Sequence, residues 1–236
     1  MDHAIEENHV RAVLSNQYGV IDDLDLFEII LGVLNRRNDI SYRTLIYDNS
    51  ITQLHVNFKD SIGEHNGVEY TAGLCITNSE TGHSAVWVEP VVHCPSGSFF
   101  NRRVLRKQGV DCRLIHRGKF ASERVQPMVE KAKEIAQIGI IQLAESFEDR
   151  MSSSNAIRTL ASIDALPSRF QQILEEEWEI EQDIARAVVA QRIMTLAQEL
   201  PLFQRIQVQQ SAGRIIDLFG SFKSRFNDLA QEINNE

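Results

Sequence analysis

Apolar residues follow two kinds of pattern along this chain. Between residues 42 and 119 they form short β-branched and aromatic runs, and elsewhere they recur at three- and four-residue steps. Tyr42–Tyr47 (YRTLIY) and Gln53–Phe58 (QLHVNF) predict two strands around an Asp48-Asn49-Ser50 turn, and Ser61–Asn66 reads as a loop. Gly67–Ser79 (GVEYTAGLCITNS) and Ala85–Cys94 (AVWVEPVVHC) are joined by Glu80-Thr81-Gly82-His83, whose turn chemistry predicts an antiparallel hairpin. Pro90 cannot donate to a ladder, which places its strand at an edge or beside a bulge. A further strand is expected at Gly109–Lys119. There Cys112, Leu114 and His116 alternate with Asp111, Arg113, Ile115 and Arg117, a pattern that predicts one packed and one wet side of the sheet.

Helical spacing brackets these strands. Asp22, Asp23 and Asp25 supply cap and first-turn charge to a helix through Leu24, Phe27, Ile30, Leu31 and Leu34 that ends at Arg36-Arg37. A long helix is expected from about Glu123 to Met151, with Val125, Met128, Val129, Ala132, Ile135, Ala136, Gly139, Leu143, Phe147 and Met151 as its stripe. Pro127 fits its first turn. Ile138, Ile140 and Ile141 lie partly off the stripe, so the helix is expected to touch a second domain or subunit. Beyond Ser152–Asn155 every segment reads as helical: Asn155–Ile163, Pro167–Ile180, Asp183–Leu200 and about Phe203–Ile233. The tail is rich in Ile215, Ile216, Leu218, Phe219, Phe222 and Phe226, which suits core packing or a subunit contact.

This order predicts an α+β fold. A mostly antiparallel sheet packed by a long helix occupies residues 1–151, and a helical domain occupies 152–236. The 236 residues are 43% hydrophobic and 24% charged, as in a soluble globular protein. No apolar run approaches a membrane span and the N-terminus carries no signal-peptide pattern, so a cytoplasmic location is expected. Cys75, Cys94 and Cys112 lie in strand contexts without a CxxC and read as reduced core thiols. A zinc set of these cysteines with His93 or His116 matches no common module, and no metal or cofactor is expected. GxSxG, HExxH and P-loop patterns are absent; Ser96-Gly97-Ser98 lacks a positioned base in sequence, and Glu64, His65 and Glu69 sit in a glycine-bounded loop. A non-enzymatic protein is the reading.

Charge changes the picture. The net charge is −9, yet residues 101–124 hold eight of the 24 basic side chains against two acidic ones. The candidate nucleic-acid-binding residues are Arg102, Arg103, Arg106, Lys107, Arg113, Arg117 and Lys119, with Phe99 and Phe100 beside them. Cations that follow a phosphate backbone and rings that stack on bases suit single-stranded DNA. A solvated basic face, or one paired with the chain's own acidic helices, is the alternative from composition.

Four stretches carry a resemblance: Arg11–Ile30 (RAVLSNQYGVIDDLDLFEII), Gly73–Val88 (GLCITNSETGHSAVWV), His93-Cys94-Pro95-Ser96-Gly97 and His116–Val129. In order, they resemble the phage/plasmid-like domain-of-unknown-function family with its "TNSETG" turn, over about residues 11–150. His93 stands where that family usually has Arg, and Ser96 where it has Asn. The resemblance implies a protein of phages, plasmids or other mobile elements. The family's strand-strand-strand-long-helix order is similar to that of single-strand annealing recombinases, which bind DNA in a basic groove of a ring. The expected function is therefore single-stranded DNA binding or annealing in recombination or replication, as a homo-oligomer. An anti-defence or regulatory factor binding a host protein, and a virion component, are the alternatives.

Overall fold

The two predicted hairpins lie side by side in one antiparallel sheet. The computed structural model describes residues 22–48, 50–82, 84–107, 109–110, 112–114, 122–163, 166–178 and 182–220. Strands β1 (Ile40–Tyr47), β2 (Thr52–His65), β3 (Val68–Asn78), β4 (Val86–Cys94) and β5 (Gly97–Phe99) are adjacent in chain order, and β6 (Arg113–Leu114) shares the outer edge of β4 with β5. Helix α1 (Asp23–Leu34) precedes the sheet, with the Asp22 side chain accepting from the Leu24 N–H at 2.8 Å. Helix α2 (Arg102–Lys107) separates β5 from β6. Helix α3 (Val125–Glu145), entered through a 3₁₀ turn at Ser122–Arg124, crosses the sheet. Then follow β7 (Arg150–Ser152), α4 (Ser153–Ala161), α5 (Ser168–Glu177), β8 (Asp183–Ala185), α6 (Arg186–Ala197) and α7 (Leu202–Ile215). The expected α+β class, with an antiparallel sheet and helices after it, is what the chain forms.

Several expectations change in detail. The Ser61–Asn66 loop is instead the end of β2 and its turn. Asn66 (φ 51°) and Gly67 (φ 76°) both take left-handed conformations, as the two central residues of a type I′ hairpin turn do, and His65 pairs with Val68 across them. Pro90 sits in the gap that β5 and β6 leave along β4. The Val88 N–H reaches outward to the Cys112 carbonyl at 2.9 Å and Val92 pairs with Phe99, so the donor that Pro90 lacks would have faced the unpaired stretch between them. Of the strand expected at Gly109–Lys119, the described part is two residues long.

The long helix stops earlier than its apolar spacing suggests. After Glu145 the Ser146 hydroxyl turns back to the Leu143 carbonyl at 2.6 Å, and Phe147 leaves the helix to stack on His65 with ring centroids 3.9 Å apart. Met151 then pairs with Ile184 in the β7–β8 ribbon, and Ser152 caps α4. The boundary expected at residue 151 thus falls inside a strand, and β8 interrupts the run expected to be wholly helical. Of the residues expected to reach a second domain or subunit, Ile138 is buried within this chain, Ile140 packs over Gly63 of β2, and Ile141 stays exposed. Gln142 accepts from the Phe219 N–H and donates to the Gly220 carbonyl, and a Cβ on Gly139 would collide with Phe219 and Val92. One continuous cluster of buried apolar side chains runs from Leu26 and Ile30 through the sheet and α3 to Val189 and Phe219.

The sheet has two buried faces of different chemistry. Leu54, Val56, Leu74, Ile76, Val88 and Val92 point to the α3 side. The alternate residues Gln53, His55, Gly73, Cys75, Thr77, Glu89 and His93 point to the other, where Phe100 and residues of α7 cover them. Across β2, β3 and β4 this face is buried and polar rather than wet, whereas in β6, where the alternation was read, Arg113 is exposed beside buried Cys112. The centre of the buried polar face depends on one glycine. The His93 ring lies across Gly73 to reach the Val56 carbonyl at 3.3 Å, and a Cβ at Gly73 would overlap both. Because that carbonyl only accepts, Nε2 carries the proton, and Nδ1 accepts from the Ser98 hydroxyl at 2.7 Å.

Candidate nucleic-acid interface

The basic island is divided by the fold into a buried part and a displayed part. β5 delivers the chain to Asn101, whose amide donates to the Leu218 carbonyl at 2.7 Å and whose carbonyl accepts from the Val104 N–H at 3.4 Å. This ties the start of α2 to the turn after α7. Arg102 then points onto the polar face of the sheet and grips Glu89 with Nε and Nη2, at 2.7 Å to each carboxylate oxygen. Glu89 is 1% exposed and Arg102 13%. Burial pulls the Arg102 pKa down, but the facing carboxylate outweighs it and leaves the guanidinium held above its ordinary value. Arg102 is therefore a structural ion pair and leaves the DNA-binding set.

Phe99 and Phe100 leave it as well. Both are fully buried, Phe99 in the main core and Phe100 against Cys75 and Val91. In a strand, two adjacent rings point to opposite faces, and here both faces are covered, so neither ring can receive a base.

Arg103, Arg106, Lys107 and Arg113 are exposed. Arg106 and Arg113 lie over Trp87, with 4.7 and 5.8 Å from guanidinium carbon to ring centroid, and Arg102 flanks the same ring at 4.7 Å. Three cations over one indole hold the α2 and β6 arginines together near the outer edge of β4. Arg117 and Lys119 lie outside the described residues, as do His116 and the tail beyond Gly220.

A second set of cations joins these in space. Two adjoining cavities of about 270 and 450 Å³ share Ser162, Ile163, Ser211 and Arg214. The smaller is also lined by Arg102 and Arg103, the larger by Arg158 and Arg186, and among the described residues neither is lined by a carboxylate. Arg186 is paired with Asp149 at 2.7 Å. Arg158 donates to the Asn155 side chain at 3.4 Å and Arg214 to the Ser211 hydroxyl, so neither is neutralised by an acid among the described residues. Arg158, Arg186 and Arg214 were not legible as site residues. They come from three different helices, far apart in the chain, and nothing local in the sequence marks them.

The cysteines are free and buried, and among the described residues no group of three His, Cys, Asp or Glu is placed to hold a metal ion. Burial raises the Cys75 thiol far above its ordinary pKa, which suits a packed thiol near the His55 ring. Also among the described residues, no helix is long and apolar enough to cross a membrane. No family model, curated protein or solved structure matches this chain, so the resemblance over residues 11–150 rests on the residues quoted for it.

Proposed function

We propose that this chain binds DNA without catalysing a reaction on it, with single strands favoured, as a protein of a mobile element acting in recombination or replication. The observation that carries the reading is the continuous arginine-lined groove. Arg103, Arg214 and Arg158 line it, and Arg106, Lys107 and Arg113 stand exposed in the adjoining α2 and β6 segment. With Phe99 and Phe100 buried, affinity comes from phosphate contacts and counterion release rather than base stacking, and sequence preference is weak. The preference for single strands rests on shape: a flexible strand can follow a concave groove, whereas a duplex is a stiff rod. Assembly into an oligomer has support of its own. β1 is an edge strand with Tyr42, Leu45 and Tyr47 exposed, and such edges pair readily with another chain.

Replacing Arg103 and Arg214 together with Ala tests the reading by gel-shift titration on single- and double-stranded DNA over a range of salt. The expected result is an affinity loss of tenfold or more at low salt and a salt slope shallower by roughly one to two. Unchanged binding in the variant, or no binding by the wild type at low salt, overturns it.

A further inference from the structure

A third cavity, of about 270 Å³ and apart from the groove, opens between the polar face of the sheet and α7. It is lined by Arg43 from β1, Gln53 and His55 from β2, Ser98 from β5, and Arg205 and Gln209 from α7. Arg205 and Gln209 are one helical turn apart, on a different stripe of α7 from the Gln207, Gln210 and Arg214 that line the groove. The two sites are separate.

Both arginines are positioned by backbone carbonyls and neutralised by no acid among the described residues. Arg43 donates to the Cys94 carbonyl at 3.1 Å, and Arg205 to the Gln198 and Leu200 carbonyls at 3.1 and 3.2 Å. Among the described residues, no Asp or Glu lines the cavity. The rest of the lining includes the amides of Gln53, Gln198 and Gln209 and the hydroxyls of Thr44, Ser96 and Ser98, with Ile46 and Pro95 between them. The walls also hold two buried nitrogens that have no hydrogen-bond partner, His55 Nδ1 and Arg205 Nε. Native interiors leave few such groups; Asn57 Oδ1 is another, away from this cavity, whereas these two border it together. Two uncompensated cations between low-dielectric walls form a region of positive potential, which selects an anion.

We infer that this cavity binds a small phosphorylated ligand, a phosphate monoester of about nucleotide size or less. Two guanidinium groups, with the Thr44 hydroxyl and the Gln209 amide beside them, match the three free oxygens of a phosphate better than the two of a carboxylate. Arg43, exposed at the mouth, steers and clamps the anion. Gln53 and Gln209, both buried, set its depth.

The test is calorimetric titration of the full chain with inorganic phosphate, adenosine monophosphate, adenosine and acetate. It is run on the wild type, on Arg43→Gln and Arg43→Glu, and on the Arg103→Ala/Arg214→Ala groove variant. Arg43 lies on an exposed edge, so its variants are expected to fold, and circular dichroism checks this. Saturable binding of phosphate and of the monophosphate is expected, with at least a tenfold loss in Arg43→Gln and a larger one in Arg43→Glu. The groove variant should bind them as the wild type does. The inference is overturned if neither phosphate compound saturates by about 10 mM, if acetate or adenosine binds as well as they do, or if the groove variant rather than the Arg43 variants loses the binding. Because DNA binding is read on different residues, either site can fail without the other.

Discussion

On one side of the sheet, Val56, Leu74 and Val88 meet Val129, Ala136 and other stripe residues of α3. On the other side, one residue along each strand, His55, Cys75 and Glu89 meet Phe100, Arg102 and α7. Residues of both sets are almost wholly buried. The apolar side is held by area and packing, which are non-directional and tolerate exchange of one aliphatic residue for another. The polar side is held by a chain of directed contacts: Arg102 with Glu89, Gln53 with Thr77 at 3.2 Å, Cys75 near His55 at 3.7 Å, and His93 between Ser98 and Val56. Each of these groups lost water on burial, so each depends on its partner. Both proposed sites border this polar side, one through Arg102 and the other through His55 and Ser98. The difference between the faces is therefore also the difference between scaffold and candidate function.

The ion pair should give the largest effect. Glu89→Gln keeps the shape of the side chain but leaves the Arg102 guanidinium buried without a counter-charge. A loss of about 3–5 kcal/mol in unfolding free energy is expected from urea denaturation. Replacing both partners, as Glu89→Leu with Arg102→Met, should recover most of that loss, because the penalty lies in the uncompensated charge. A single variant as stable as the wild type would mean that water reaches Arg102 and that the two faces are not equally sealed.

Acid should separate the faces next. Burial, with the nearby Arg43 charge as a second cause, pushes the His55 pKa down to about 4 from an ordinary 6.5. His93 is depressed too, by burial first and then by His55 and Arg43. Above pH 6.5, His55 is neutral folded and unfolded, and its contribution is complete. Between pH 6.5 and about 4 the unfolded chain takes a proton that the folded chain refuses, so stability falls as pH falls. For His55 the full loss is about 3 kcal/mol. Asp39, whose carboxylate is held down to about 2 by Arg37, acts in a lower window, from 3.8 downward. Urea midpoints at pH 7, 5.5 and 4.5 should therefore decline through the histidine window, and His55→Gln should flatten that decline. A flat wild-type curve would remove the sealed polar face.

The apolar half of this contrast was legible in the sequence and the polar half was legible only in pattern. Hairpin turns, the cap at Asp22, Pro127 in a first turn and the α3 stripe as far as Leu143 are local signals, and local signals survive folding. The odd-numbered run Thr71, Gly73, Cys75, Thr77 also shows small and polar residues facing one way. Alternation alone reads the same whether such a face meets solvent or a polar lid, since part of the lid, α7, arrives more than a hundred positions later. The same distance hid the groove, whose arginines come from α2, α4, α6 and α7. Conversely, Asn66-Gly67 was a strong hairpin signal that the reading of a Ser61–Asn66 loop passed over. The reach of α3 was overestimated because Phe147 and Met151 keep helical spacing while packing from a turn and a strand.

The smallest expected effect probes a neutral contact of the polar side against the charged one. Ser98→Ala removes the hydroxyl that donates to His93 Nδ1, while Nε2 keeps its bond to Val56. One buried acceptor is left unsatisfied, and the cost should be about 1–2 kcal/mol at pH 7 by urea denaturation, below that of Glu89→Gln. The ring itself should stay, because Gly73 leaves it a slot bounded by backbone. Nitrogen chemical shifts of His93 should accordingly report the same neutral tautomer, protonated at Nε2, in both proteins. A switch to the Nδ1-protonated form would mean that Ser98, rather than the Val56 carbonyl, sets the orientation of the ring. A cost equal to that of Glu89→Gln would mean that the network shares its energy as a unit, and that charge is not what distinguishes its members.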